Sequence, residues 1–202
     1  MLDQKIRGLW DRVMRPVGKA LGRTGLSANA VTTAGLLIQV GAALLILDGR
    51  LVAAALVSMV AAICDGLDGA IAKAKGTSSA FGAFFDSTAD RLADALYFLP
   101  VAWLYGVAPD TPERASTLVT GLALVSLVAS FLVSYVRARA ESLGLDAKVG
   151  IAERAERMII LILGLLFDVV LGALILLSIA SVVTLIQRVV HVHKQTRVKA
   201  PA

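Results

Sequence analysis

The 202-residue chain is 57% hydrophobic, holds 17% charged residues and has a formal net charge of +5. Charged residues make up about a quarter of an ordinary soluble domain, so the composition excludes that class. A helix needs about 20 apolar residues to cross a bilayer, which leaves room for six crossings and little else. The single cysteine, Cys64, excludes an internal disulfide and a cysteine zinc cluster. In so apolar a chain, the excess of basic residues indicates contact with anionic lipid rather than with nucleic acid.

The N-terminal segment mixes basic and apolar residues at helical spacing. Basic side chains from Lys5 to Arg23 alternate with apolar ones such as Leu9 and Val13. This pattern predicts an amphipathic helix that lies on the membrane surface, with Trp10 at the level of the lipid headgroups. We therefore expect residues 1–28 to form an interfacial segment ahead of the first membrane span.

Apolar segments follow one another through the rest of the chain. The first four run from Val31 to Leu47, from Leu51 through Cys64, from Phe81 to Val107 and from Ser116 to Val136. The stretch from Glu153 to His193 is long enough for two more spans, joined by a tight turn near Phe167 to Gly172. The sequence thus predicts an all-α, polytopic membrane protein whose six-helix domain covers residues 29–194, followed by a basic cytoplasmic tail at 195–202.

The basic residues also predict an orientation. With six crossings, all lysines and arginines except Arg50 and Arg114 fall on the side that holds both termini. Loops rich in lysine and arginine stay in the cytoplasm. We therefore expect a multi-pass protein of the cytoplasmic membrane whose termini and site face the cytoplasm.

Four acidic residues interrupt the second and third apolar segments: Asp65, Asp68, Asp86 and Asp90. A charge at membrane depth costs at least ~2.5–3.5 kcal/mol, so four acids require compensation. Their i, i+3 and i, i+4 spacings place each pair on one helix face. Hard oxygen ligands favour Mg²⁺, Mn²⁺ or Ca²⁺, and four carboxylates suit the two-ion sites that promote displacement at phosphorus. In the alternative, the acids only pin helices together through bases such as Arg91, but one arginine cannot neutralise four acids.

The spacing of these acids resembles the signature of the CDP-alcohol phosphotransferase family. The similar pattern is Asp65-x-x-Asp68-Gly69-x-x-Ala72-Lys73, eight residues, then Gly82-x-x-x-Asp86-x-x-x-Asp90. One position departs, because the family usually has arginine where this chain has Lys73. Lysine keeps the charge but lacks the bidentate fork, which alters the expected phosphate contact.

The resemblance implies a role for each motif residue. Asp65, Asp68 and Asp86 would ligate two Mg²⁺ ions, with Mn²⁺ possible in their place. Asp90 would ligate one ion and also act as the catalytic general base on the acceptor hydroxyl. The predicted contacts to CDP-diacylglycerol are Asn29, Thr32, Gly69, Lys73 and Ser79. The resemblance also implies a homodimer.

Asn29 and Thr32 belong to the run SANAVT, which resembles a nucleotide-binding segment of the family. An ordinary helix cap at Ser27 or Asn29 explains this run equally well.

Arginines near the ends of the last helices bear on the acceptor alcohol. Arg137, Arg154 and Arg188 lack an obvious local partner in the sequence, and converging arginines favour a phosphorylated acceptor. The run SYVRARAESLGL and the later IAERAERMII resemble the matching region of the phosphatidylinositol phosphate synthase subfamily. That resemblance implies that these three arginines hold the phosphate of inositol 1-phosphate, and that the products are phosphatidylinositol phosphate and CMP.

Two alternatives remain open from the sequence. Glycerol 3-phosphate is also a phosphorylated alcohol, and the same chemistry would then make phosphatidylglycerophosphate. A cation transporter would also carry acids within the membrane. Its polar residues would cross the full bilayer depth, whereas the acids here cluster toward one side.

Overall fold

The computed structural model describes Pro16, Ala20, residues 25–77 and residues 79–199. Helices dominate this part of the chain, and no strand occurs in it. The all-α prediction is therefore confirmed. Most of the predicted interfacial helix, residues 1–28, lies outside the described residues.

Six α-helices follow one another along the part of the chain that the structure describes from residue 25 onward. They are α1 (Ala28–Leu47), α2 (Leu51–Lys75), α3 (Ala80–Gly106), α4 (Thr117–Ser142), α5 (Arg154–Leu166) and α6 (Val170–Lys199), with a 3₁₀ turn at Pro112–Arg114. The expected tight turn between the last two helices lies at residues 167–169. The last helix continues to Lys199, beyond residue 194, where we expected the membrane domain to end.

Four of these helices are long and apolar enough to cross a membrane: α1, α2, α4 and the Val170–Arg197 part of α6. Large apolar side chains on them, such as Leu37 and Ile179, are more than half exposed, as lipid-facing residues are. The α5 helix has only 13 residues. That length spans about 20 Å, less than the ~30 Å of a hydrocarbon core. The count of six crossings therefore stays a prediction.

Two compact units divide the chain, and the first consists of Met1–Ala42 and Leu56–Leu96. Within it, α1 and α2 approach closely at Gly35, where an added Cβ would lie 3.0 Å from the Cβ of Cys64. Small residues allow helix backbones to come together in membranes. This close packing brings the first turns of α1 beside the acidic end of α2.

The second unit consists of Ala43–Ala55 and Tyr97–Ala202. In its core, α6 packs against α4 and α5. Ser126 and Ser178 share a hydrogen bond of 3.0 Å between α4 and α6, and a Cβ on Gly164 of α5 would overlap Ala173 of α6. The largest fully buried apolar side chains of this core include Tyr97, Leu104, Leu161, Leu165, Leu174 and Leu177.

Candidate active site

Three carboxylates come together where α2 and α3 meet. Asp65, Asp86 and Asp90 each offer one oxygen, and these oxygens lie within 4.8 Å of one another. All three side chains are half-buried. The acidic faces of the two helices therefore meet. Such a cluster of hard oxygen donors fits a divalent ion of the Mg²⁺ or Mn²⁺ type.

Asp68 has a different environment from the other three acids. It is only 5% exposed, and its Oδ2 accepts a hydrogen bond of 2.5 Å from the hydroxyl of Thr32 on α1. Its Oδ1 accepts a second bond of 2.5 Å from the backbone N–H of Gly69. These two donors stabilise a carboxylate that is removed from water. Asp68 stands outside the group of three oxygens, and its role as a metal ligand stays a prediction.

A pocket of about 230 Å³ opens beside these acids, entirely within the first unit. Its lining is Ala28, Asn29, Thr32, Asp68, Gly69, Ala72, Lys73, Thr77, Ser79, Gly82, Ala83 and Asp86. All five residues that we expect to contact CDP are among them. The structure thus brings the predicted nucleotide contacts and two of the acids to one cavity.

Sequence reasoning missed Ala28 and Ala83 of the lining, and it included Ala72 only as a motif position without a role. Ala72 is four residues after Asp68, and Ala83 is three residues before Asp86. Residues at these spacings share a helix face, so the signal was present in the sequence. Small side chains at these positions leave the cavity open.

The first turn of α3 forms one wall of the pocket. The Oγ of Ser79 accepts a hydrogen bond of 3.0 Å from the N–H of Gly82 and so caps the helix. A Cβ at Gly82 would lie 3.1 Å from that Oγ and 3.7 Å from Oδ1 of Asn29. Glycine therefore keeps the space between the two polar groups open. A helix N-terminus also favours negative charge, which suits a phosphate at this wall.

The start of α1 answers the question that the sequence left open about capping. The Oγ of Ser27 accepts a hydrogen bond of 3.2 Å from the N–H of Ala30, so Ser27 is the cap. Asn29 lies inside the helix, so its side chain does not cap the helix and lines the pocket instead. Nearby, Lys75 Nζ donates a bond of 2.6 Å to the carbonyl of Leu26, whereas Lys73 lines the pocket.

The arginines of the second unit are more engaged than the sequence suggested. Arg137 Nε lies 3.1 Å from Oε1 of Glu141, an i, i+4 ion pair. Arg188 is 3% exposed and donates to the carbonyls of Val149 at 2.9 Å and Val133 at 2.6 Å. The expectation that Arg137 lacks an obvious local partner was therefore wrong, whereas Arg188 binds backbone carbonyls that are distant in the sequence. The Arg137 pair was readable from its spacing, but the partners of Arg188 are 39 and 55 residues away.

Two further arginines of this region lie on α5. Arg154 is the first residue of that helix. Arg157 is 4% exposed, and its Nη1 donates a bond of 3.1 Å to the carbonyl of Ala152. Arg157 thus helps to hold the chain that leads into α5. The acceptor-binding roles of Arg137, Arg154 and Arg188 stay predictions.

Comparison with known proteins identifies the family. The sequence model of the CDP-alcohol phosphatidyltransferase family matches residues 26–192. The chain belongs to this family, and the resemblance drawn from the aspartate motif is confirmed.

Two relatives with known names belong to one branch of the family, the enzymes that make inositol phosphate lipids. The chain is 39% identical to the phosphatidylinositol phosphate synthase of Mycolicibacterium smegmatis, over 91% of this chain and 85% of that protein. It is 37% identical to the archaetidylinositol phosphate synthase of Pyrococcus horikoshii, over 95% of this chain and 96% of that protein.

A solved structure shares the fold as well. The phosphatidylinositol phosphate synthase of Mycobacterium tuberculosis with CDP-DAG bound has a TM-score of 0.78 and 35% identity, covering 90% of this chain and 94% of that one. The same enzyme in complex with manganese and citrate has a TM-score of 0.78 and 35% identity, covering 89% and 88%. Family and fold together define this chain as a metal-dependent phosphotransferase of phospholipid synthesis.

Proposed function

We propose that the protein transfers the phosphatidyl group of CDP-diacylglycerol to inositol 1-phosphate, with phosphatidylinositol phosphate and CMP as products. One observation carries this proposal: the five expected nucleotide contacts line a single pocket together with Asp68 and Asp86. The names of the relatives support the acceptor, because both the phosphatidyl and the archaetidyl enzymes are named for an inositol phosphate product.

Two Mg²⁺ ions are the proposed cofactors, with Mn²⁺ as a substitute. The cluster of Asp65, Asp86 and Asp90 fits such ions because it offers three carboxylate oxygens within 4.8 Å. We assign Asp68 as the fourth ligand on the strength of the motif. When bound, the ions polarise the pyrophosphate and neutralise the charge that develops in displacement at phosphorus.

The chain's own side chains perform binding and proton transfer. Lys73, Ser79 and the N-terminus of α3 hold the phosphates of the nucleotide, and Asn29 and Thr32 line the α1 side of the pocket. Asp90 takes the proton from the acceptor hydroxyl as that oxygen attacks the lipid-bearing β-phosphorus. The bond from this phosphorus to the bridging oxygen breaks, and CMP leaves with that oxygen.

Positive charge in the second unit supports a phosphorylated acceptor. Arg188 on α6 donates to the carbonyl of Val133, one helical turn before Arg137 on α4, so the two arginines lie on neighbouring helices. A phosphate monoester between like charges relieves their repulsion and accepts several hydrogen bonds. We propose that Arg137, Arg154 and Arg188 form this subsite.

The direct test is CMP release by purified protein from CDP-diacylglycerol and Mg²⁺ with a panel of alcohols and alcohol phosphates. We expect turnover with inositol 1-phosphate and little with inositol. Preference for glycerol 3-phosphate would refute the proposed acceptor but leave the proposed phosphatidyl transfer intact. No CMP release with any acceptor would refute the proposed function.

The orientation in the membrane is part of the same proposal. We place both termini and the pocket on the cytoplasmic side because the basic residues cluster there. Single cysteines at Thr111 and Gly144, in a background that lacks Cys64, would test this with an impermeant thiol reagent on intact cells. We expect only the cysteine at 111 to react, and the reverse pattern would invert the topology. The homodimer stays a prediction from the family resemblance.

A further inference from the structure

The chain between α4 and α5 lies along the last part of α6. Residues 145–153, here called the tethered loop, form no helix or strand. Side chains of α6 instead bind its backbone at several points. The N–H of Ala152 donates to Thr184 Oγ1 at 3.1 Å, and the N–H of Ile151 donates to Gln187 Oε1 at 3.1 Å. Arg188 Nε donates to the carbonyl of Val149 at 2.9 Å. Gln195 Oε1 accepts a bond of 3.0 Å from the N–H of Asp146, and Gln195 Nε2 donates a bond of 2.5 Å to the carbonyl of the same residue.

These bonds form an ordered ladder. The loop runs antiparallel to α6, since Asp146 is held near the end of the helix and Ala152 is held eleven residues earlier, at Thr184. From Thr184 to Gln195 the helix rises about 17 Å. The six steps from Asp146 to Ala152 reach at most about 20–22 Å when extended. The loop therefore matches the helix in length with little slack.

Gly150 shows how close the loop lies to the helix. Its φ of +142° is a conformation that L side chains rarely adopt, and an added Cβ would overlap Cγ2 of Thr184. Thr184 itself is fully buried. A residue larger than glycine at position 150 would push the loop off the helix at the point where Thr184 holds it.

A simple explanation of the ladder is that it satisfies backbone groups of an irregular segment. Its position argues for more. Ala152 is held from both sides, by Thr184 through its N–H and by Arg157 through its carbonyl. Two residues later the chain reaches Arg154, and Arg188 is itself one rung of the ladder.

We propose that Thr184 and Gln195 are positioning residues for the acceptor subsite. They fix the two ends of the tethered loop and thereby set the position of Arg154 against Arg188. This inference rests on the proposed function of the arginines, because it assigns the ladder to the binding of the acceptor phosphate. Neither residue needs to touch the substrate.

The test uses full-length protein in lipid nanodiscs with the variants Thr184→Val and Gln195→Ala. Loss of one hydrogen bond should raise the KM for inositol 1-phosphate roughly three- to tenfold. The kcat and the KM for CDP-diacylglycerol should stay within about twofold, because the nucleotide pocket lies on other helices. Thr184→Ser keeps the hydroxyl and should restore the KM. Thr196→Ala is the matched control, since that hydroxyl donates to the carbonyl of His193 in its own helix.

Hydrogen exchange of peptides covering residues 143–153 gives a readout that needs no substrate. Faster exchange in both variants together with the raised acceptor KM supports the proposal. Faster exchange with an unchanged acceptor KM would reduce the ladder to a structural role and overturn it. Unchanged exchange would show that these side chains do not hold the loop, which also overturns it.

Failure of the proposed function gives a separate result. If the unmodified protein prefers another phosphorylated acceptor, the KM for that compound is measured instead. A raised KM in the two variants then supports the positioning role, and an unchanged KM refutes it. If an acceptor without phosphate is preferred and its KM does not respond to either variant, both inferences are refuted.

Discussion

The hydroxyl of Thr32 donates a hydrogen bond of 2.5 Å to the buried carboxylate of Asp68, 36 positions further along the chain. This bond joins the first turns of α1 to the acidic end of α2. It also links a predicted nucleotide contact with a predicted metal ligand.

Thr32→Val keeps the shape of the side chain and removes the donor. Hydrogen bonds to charged groups contribute about 1.5–3 kcal/mol, so we expect kcat/KM for CDP-diacylglycerol to fall about ten- to a hundredfold. Thr32→Ser retains the donor and should stay within about threefold of the unmodified enzyme. Equal activity of the valine and serine variants would show that the bond does not support the site.

Asp90→Asn tests the proton transfer. General base catalysis contributes about 10²–10⁴-fold, and loss of a metal ligand adds to that, so we expect turnover to fall by at least 10². The fold and the binding of CDP-lipid should remain, which thermal unfolding with and without CDP measures. Turnover near normal in this variant would exclude Asp90 as the base.

Gly82→Ala separates activity from stability. Alanine favours a helix over glycine by up to about 1 kcal/mol, so Tm should hold or rise. The added methyl group intrudes between Ser79 and Asn29, and the KM for CDP-diacylglycerol should therefore increase severalfold. Gly121→Ala is the control, because an added Cβ there meets nothing within 4 Å. A similar KM for the two variants would show that the missing side chain at Gly82 does not matter for nucleotide binding.

Lys73→Arg restores the residue that the family usually carries. The guanidinium offers two parallel donors to phosphate, so we expect the KM for CDP-diacylglycerol to stay equal or to decrease. Lys73→Met removes the charge and should raise this KM at least tenfold. An unchanged KM in the methionine variant would mean that Lys73 does not contact the nucleotide.

Arg154→Ala probes the acceptor subsite. Loss of a charge-assisted hydrogen bond to phosphate should raise the KM for inositol 1-phosphate about tenfold or more, with little change in the KM for CDP-diacylglycerol. Arg154→Lys keeps the charge and should give an intermediate value. Equal effects on both substrates would argue for a structural role instead.

Most of the candidate site could be predicted from local sequence patterns. The i, i+4 spacing places Asp86 and Asp90 on one face of α3, and the structure brings their oxygens together with one of Asp65. Asp68, the i, i+3 neighbour of Asp65, stands outside this group. Helical periodicity tells which residues share a face, so α1–α6 and the turn at 167–169 were also predictable in outline.

Contacts between distant segments were not predictable in this way. Periodicity does not tell which backbone carbonyl a buried arginine reaches, and the bonds of Arg188 to Val133 and Val149 depend on how the tethered loop lies on α6. The bond from Thr32 to Asp68 was not predictable for the same reason, because it joins residues 36 positions apart. By contrast, the Arg137–Glu141 pair is predictable from its i, i+4 spacing alone.

The most direct test of the central claim is the mass of the lipid that the purified protein makes. CDP-diacylglycerol and Mg²⁺ are supplied with equimolar inositol 1-phosphate and glycerol 3-phosphate, and the lipid extract is analysed by mass spectrometry. We predict phosphatidylinositol phosphate as the dominant product, and its loss when EDTA removes the metal. Phosphatidylglycerophosphate as the main product, or product formation that resists EDTA, would contradict the account.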